Sequence, residues 1–109
     1  SPTLNIKNSA SNQVISSKTC AVLRKYMKNV VENGTGFNAQ YKSKTAGKTA
    51  TAQSGIYVDG KEQLNTWFVG CYPYDTPKYS IVVMREGGKS GAGDCCPVFR
   101  TIVEKIDNM

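Results

Sequence analysis

Apolar side chains recur along this chain with two different periods, and the switch between them lays out the elements. Cys20, Leu23, Met27, Val30 and Val31 stand at helical spacing, while Lys18, Arg24, Lys25 and Lys28 fall mostly toward the other side. Ser16-Ser17 ahead of them offers a hydroxyl to cap the first amides, so the pattern predicts an amphipathic helix of about four turns. Asn33-Gly34 closes it with residues suited to a left-handed terminal conformation, and Gly36 extends the break. Residues 1–13, rich in Ser, Asn and small side chains and without periodicity, read as a loop or a short extended lead-in.

Beyond the helix the composition turns to small and β-branched residues over 45–57, which predicts a strand. Asp59-Gly60 is a hairpin turn signal, and residues 64–72 form the returning strand. Pro73 and Pro77 bracket a second turn before the apolar run 79–85, a third strand predicted to be buried on both faces or near the sheet centre. Gly87, Gly88, Gly91 and Gly93 suggest a flexible connector, after which Pro97, Val98, Ile102, Val103 and Ile106 are spaced for a closing helix. The predicted fold class is therefore α/β of the α+β type. It is a three-stranded antiparallel sheet, with N-terminal and C-terminal helices packed against one face. No repeat, low-complexity segment or interdomain linker interrupts residues 1–109, so they read as a single unit.

Composition narrows the chemistry more than the fold. With 109 residues and 39% hydrophobic content the chain has enough apolar material for one core. No apolar run approaches the ~20 residues needed to cross a bilayer. The net charge of +6 comes from 14 Lys and Arg against 8 Asp and Glu. These lysines are scattered rather than clustered, and no RNA-binding aromatic signature accompanies them, so the charge reads as a solvated surface without a nucleic-acid partner. The chain contains no histidine. That removes Ser-His and Cys-His catalytic pairs and His-ligated zinc together, leaving any chemistry to Lys, Ser, Thr or carboxylates. Cys20, Cys71, Cys95 and Cys96 form no CxxC pair, and adjacent cysteines make poor joint zinc ligands, so neither a metal nor another cofactor is expected. Their apolar surroundings suit buried thiols, with a single bridge left open to the redox compartment.

One segment gathers chemistry: Ala46-Gly47-Lys48-Thr49-Ala50-Thr51-Ala52-Gln53. Small side chains on a strand let a ligand approach the backbone, while a lysine and two hydroxyls supply charge and hydrogen bonds to a carboxylate or phosphate. A nucleotide-binding P-loop is excluded, because its first glycine would fall at Lys42 and a strand rather than a helix follows. An isolated Lys-Thr pair on a strand would ordinarily be no more than exposed surface.

The segment resembles the third motif of the transpeptidase domain of penicillin-binding proteins, Lys-Thr-Gly, commonly set in Ala-Gly-Lys-Thr-Gly-Thr-Ala-Gln; seven of those eight positions agree here. Upstream, Met27 to Gly36, ending Val30-Val31-Glu32-Asn33-Gly34-Thr35-Gly36, resembles the helix and Gly-Thr-Gly turn that precede the motif in the class B proteins. Downstream, Trp67-Phe68-Val69-Gly70, Pro73, Tyr79-Ser80-Ile81-Val82-Val83 and Cys96-Pro97-Val98-Phe99 resemble the family's next two strands and final helix. The likeness covers residues 14–106 in the family's order.

The resemblance implies an enzyme in which a serine attacks the penultimate D-Ala carbonyl of a peptidoglycan stem peptide and passes the acyl group to an amine on a neighbouring strand. β-Lactams mimic that D-Ala-D-Ala end. By the same resemblance Lys48 would hold positive potential beside the terminal carboxylate, and the hydroxyls of Thr49 and Thr51 would hydrogen-bond to it. The Thr51 N–H would be one oxyanion-hole donor. Ala50 replaces the motif glycine within this substrate-binding set, Lys48, Thr49, Ala50 and Thr51, and its methyl would narrow the approach to the strand. The family's Ser-x-x-Lys and Ser-x-Asn motifs are missing. The expectation is therefore a C-terminal fragment of a class B transpeptidase domain, inactive by itself and prone to self-associate. Its parent would build cell wall on the extracytoplasmic face of the bacterial membrane, held there by an upstream anchor. Two other readings stay open: a basic binding module for an acidic polymer, and a degenerate homologue that binds stem peptides without catalysis.

Overall fold

Ser16 starts the first helix as the pattern predicts. In the computed structural model, which describes residues 12–109, its hydroxyl accepts a hydrogen bond from the Thr19 N–H at 3.1 Å, and α1 runs Ser17–Asn33. The predicted lead-in falls mostly on residues 1–11, outside those described; residues 12–14 are neither helix nor strand. A single 3-10 turn, Phe37–Ala39, leads to β1 (Ala46–Val58), β2 (Lys61–Tyr72) and β3 (Tyr79–Gly88), then a one-turn α2 (Gly91–Asp94) and α3 (Cys96–Asp107). The strands form an antiparallel sheet in the order β1-β2-β3. Asp59 and Gly60 turn the first hairpin with positive φ at both positions, 52° and 76°, as that tight turn requires.

The core is built on one face of this sheet. Phe68 pairs across the ladder with Thr49 on one side and Val83 on the other, and its ring lies 4.7 Å from that of Phe99 on α3. Val31, Ala39, Cys95, Cys96 and Val103 complete a fully buried cluster around them. Glycine makes the approach possible at two ladder partners, Gly47 and Gly70, where any Cβ would fall within 3 Å of the Phe68 ring.

Four details differ from the sequence-based expectation. The run 79–85 is not central: among the described residues β3 is an outer strand, with Ile81 and Val83 against the core and Val82 and Met84 exposed. A continuous apolar run does not reveal whether its second face is covered. The helices also share that face only in part. α3 covers Phe68 and α1 reaches the same cluster with Val31 near its end, whereas Leu23 and Met27 of α1 border an apolar groove of about 310 Å³ with Val69 and Cys71, whose side chains alternate to the opposite side.

Gly34, third, is extended rather than left-handed, at φ −128° and ψ −153°. Its N–H and that of Gly36 both donate to the Val30 carbonyl at 3.0 Å, and a Cβ on Gly34 would stand 3.0 Å from that oxygen. Close approach, not handedness, selects glycine there. Fourth, the glycine-rich stretch after β3 is a tied turn rather than a flexible connector. The Asp94 carboxylate accepts from the N–H groups of Lys89 (2.6 Å) and Ser90 (2.9 Å) and from the Thr66 hydroxyl (3.2 Å), and it pairs with Arg85 at 3.3 Å. Those backbone donors, Ser90 before Lys89, pull the carboxyl below its ordinary range.

A second carboxylate ties the end of α3 to the approach of β1. Asp107 accepts from the Tyr41 hydroxyl at 3.0 Å, from the Lys42 ammonium at 3.2 Å and from the Tyr72 hydroxyl. These donors, Tyr72 foremost, hold its carboxyl at about 2 against an ordinary 3.8, and the same bond pushes Tyr72 from 10.0 to about 12. Because the folded Asp107 value is depressed, its contribution is complete above the unfolded value and fades as pH falls from about 4 toward 2. Tyr72 behaves oppositely, contributing below pH 10 and losing that contribution as pH rises toward 12. Urea midpoints measured across pH should therefore fall at both extremes, and Asp107→Asn should flatten the acid limb. An acid limb unchanged in Asp107→Asn would overturn this assignment.

Candidate functional site

β1 pairs with β2 alone, so its other edge turns alternate N–H and C=O groups outward, free of any ladder among the described residues. The chemistry-bearing segment lies on this outer strand. Its one glycine, Gly47, is buried against Phe68, which fixes the height of the strand over the core.

Pleating then divides the next four residues. Lys48 and Ala50 sit opposite Val69 and Trp67, on the face away from α3; Thr49 and Thr51 sit opposite Phe68 and Thr66, on the core face. Lys48, Ala50 and Thr51 are exposed, and Thr49 is half-buried. The Lys48 ammonium folds back to donate to the Thr49 carbonyl at 3.0 Å. The Thr49 hydroxyl stands 2.9 Å from that of Thr35, in the turn after α1. The structure thus gathers all four sequence-picked residues on one free edge, with the two hydroxyls a strand period apart, about 7 Å, on one side and the lysine stem on the other.

Such an edge suits an extended, anionic chain end. A peptide can add to the outward N–H and C=O groups, while a carboxylate, which only accepts hydrogen bonds, finds hydroxyl donors and a cation within a short span. A metal is not gathered here: among the described residues no three His, Cys, Asp or Glu side chains converge. The four cysteines are free thiols, three of them buried. Burial pushes Cys96 up to about 11, which keeps it protonated and unreactive at neutral pH.

Sequence reasoning missed two contributors to the site. Thr35 is 14 positions from Thr49, and nothing in spacing announces their contact. The glycine pattern predicts a flexible loop around Gly91, yet this residue packs beside β1, where a Cβ would lie 3.2 Å from the Thr49 Cβ and 3.3 Å from the Ala50 carbonyl oxygen. The glycines themselves were visible; what they leave room for was not.

Residues 6–104 match the family model of the penicillin binding protein transpeptidase domain. The chain belongs to that family. A solved relative of this transpeptidase-family chain is the D,D-transpeptidase domain of peptidoglycan glycosyltransferase from Eggerthella lenta. It superposes with a TM-score of 0.72 at 28% identity, over 92% of this chain and 23% of that one. No curated protein matches in sequence. The α+β arrangement of a three-stranded antiparallel sheet with flanking helices is thus the transpeptidase-family fold, and the chain spans about a quarter of the solved relative's length.

Proposed function

We propose that residues 1–109 are the C-terminal part of a class B penicillin-binding transpeptidase domain and form the wall that grips the donor stem peptide. The attacking serine, its lysine base and the proton-relay serine would come from chain outside these residues. The observation that carries this reading is the free outer edge of β1 presenting Lys48, Thr49 and Thr51 together, in a chain of the transpeptidase family.

On this reading the stem peptide lies along β1. Lys48 supplies positive potential, and the Thr49 and Thr51 hydroxyls donate to the terminal D-Ala carboxylate. The serine adds to the penultimate D-Ala carbonyl, and the resulting oxyanion is met by the Thr51 N–H, a donor already oriented by the sheet. The terminal D-Ala leaves, and an amine from a neighbouring stem peptide then takes the acyl group from the serine, forming the cross-link. A β-lactam acylates the same serine, but its ring keeps the leaving group tethered. The Ala50 methyl shares a face with Lys48 and narrows access there. Peptidoglycan substrates put this work outside the cytoplasmic membrane. Among the described residues no helix is long and apolar enough to cross one; this proposal places the anchor in other parts of the protein.

Intact mass after incubation with a labelled penicillin tests the assignment on the parent polypeptide, with the 109-residue chain as control. A stoichiometric adduct on the parent alone is expected. Lys48→Ala in the parent should slow acylation by about a hundredfold or more, the scale for losing one preorganised electrostatic contact in a water-poor site. No adduct on either polypeptide overturns the reading and leaves a stem-peptide binder without catalysis or a basic binding module.

A further inference from the structure

Thr35 does more in this fold than end a helix. The turn Gly34-Thr35-Gly36 is drawn tight because the N–H groups of both glycines converge on the Val30 carbonyl, each at 3.0 Å. Neither glycine has room for ordinary side-chain packing: a Cβ on Gly34 would meet that carbonyl at 3.0 Å, and one on Gly36 would meet Val30 Cγ1 at 3.2 Å and Phe68 Cε2 at 3.4 Å. The threonine is therefore the only side chain the turn carries. It leads to β1, where its hydroxyl oxygen lies 2.9 Å from that of Thr49. Gly91 packs close by, where an added Cβ would lie 3.2 Å from the Thr49 Cβ, so two segments remote in sequence border Thr49.

Two hydroxyls at that distance share one proton between them, and either one is able to donate. We infer that Thr35 is a positioning residue for carboxylate recognition, donating its proton to Thr49 Oγ1 so that the Thr49 proton is aimed at the anionic end of the ligand. This rests on the reading above, in which Thr49 binds that carboxylate. The direction follows from the acceptor: a carboxylate has no proton to give, so the single Thr49 proton must go to it, and the Thr49 oxygen is then open to accept from Thr35. A chain of hydrogen bonds in one direction polarises each member and strengthens the terminal bond to the anion. It also fixes the Thr49 rotamer before the ligand arrives, so less side-chain freedom is lost on binding. Thr35 touches no reacting atom; it acts through Thr49.

The test uses the parent polypeptide and two probes, a labelled penicillin with its free carboxylate and the methyl ester of the same compound. Thr35→Val, which keeps the shape and removes the hydroxyl, should lower the second-order acylation rate for the anionic penicillin by about tenfold, the scale for a hydrogen bond to a charged group. It should leave the slower reaction with the neutral ester within about twofold, since the hydrogen-bonded carboxylate is what the ester lacks. Thr35→Ser should restore the anionic rate, and Thr35→Val should add little once Thr49 is already valine, because residues acting as one unit are not additive. Equal losses with both probes, or failure of serine to rescue, would show Thr35 to be packing only and overturn the inference while the enzyme assignment stands. A parent protein that acylates with neither probe removes the assignment itself, and the inference with it.

Discussion

Gly47→Ala should unfold the chain or bring it to the edge of unfolding. A Cβ at this position would lie 2.2 Å from Phe68 Cζ, 2.6 Å from Phe68 Cε1 and 2.7 Å from the Val69 carbonyl oxygen. The ring has nowhere to go: Phe68 is fully buried, with Phe99 packed against it at 4.7 Å. The carbonyl belongs to β2, the central strand of the sheet. Relief would require β1 to lift away from β2, breaking ladder bonds on either side. Forcing even one methyl into a packed core costs about 1–3 kcal/mol, and a rigid clash on this scale should reach the top of that range or pass it. Domains of this size hold only about 5–15 kcal/mol in total. Urea denaturation of Gly47→Ala beside Gly55→Ala makes the comparison. Gly55 has open space around it, so a methyl there meets only the penalty of a left-handed φ of 76°, about 1 kcal/mol. Equal midpoints for the two variants would refute the packing argument.

Phe99→Ala should be comparably severe through the opposite defect, a void. Its ring is fully buried, fills the space above Gly70 and forms a tilted pair with Phe68. Losing it strips the central aromatic of its main neighbour and leaves a cavity that β2 and α3 close only in part, for about 3–5 kcal/mol. In a domain near 100 residues each kcal/mol moves the melting temperature by roughly 4–8 °C, so a drop of well over ten degrees is expected. Phe99→Leu keeps much of the volume and should lose markedly less. A melting temperature within a few degrees of the unsubstituted chain in Phe99→Ala would place the core elsewhere. Both variants also bear on the site, since Gly47 and Phe68 set the height at which Lys48, Thr49 and Thr51 are presented.

Elements governed by local chemistry were legible in the residues. Ser16 caps α1, Asp59-Gly60 turns the first hairpin, and Pro97 sits in the first turn of the last helix as its missing N–H allows. The order helix, three strands, helix follows from where a period near 3.6 gives way to strand-forming composition and back. The segment from Ala46 to Gln53 identified the family because its residue types and their order recur there, and that is a property of sequence.

What depends on which segments meet in space was not legible. The apolar run 79–85 has the pattern of a central strand and is an outer one among the described residues, because burial on a second face is a fact about neighbours. Gly34 looked like a left-handed cap and proved to be a close-packing residue. The glycines around residue 90 looked flexible, but Asp94 gathers four partners that close the turn. Likewise the Asp107 cluster joins side chains about 35 and 65 positions away, and the Thr35–Thr49 pair spans 14.

By itself, then, the sequence determined the elements, their order, the family and the strand that carries Lys48, Thr49, Ala50 and Thr51. Backbone propensities, capping hydroxyls and motif residues act over a few positions, and that is why they can be read along the chain. Only the tertiary structure decided that this strand is an outer one among the described residues, that its threonines rather than its lysine share the face of Phe68, and that Thr35 reaches Thr49. Those outcomes come from packing Phe68 between Gly47 and Phe99, a contact among three distant segments that no local pattern encodes.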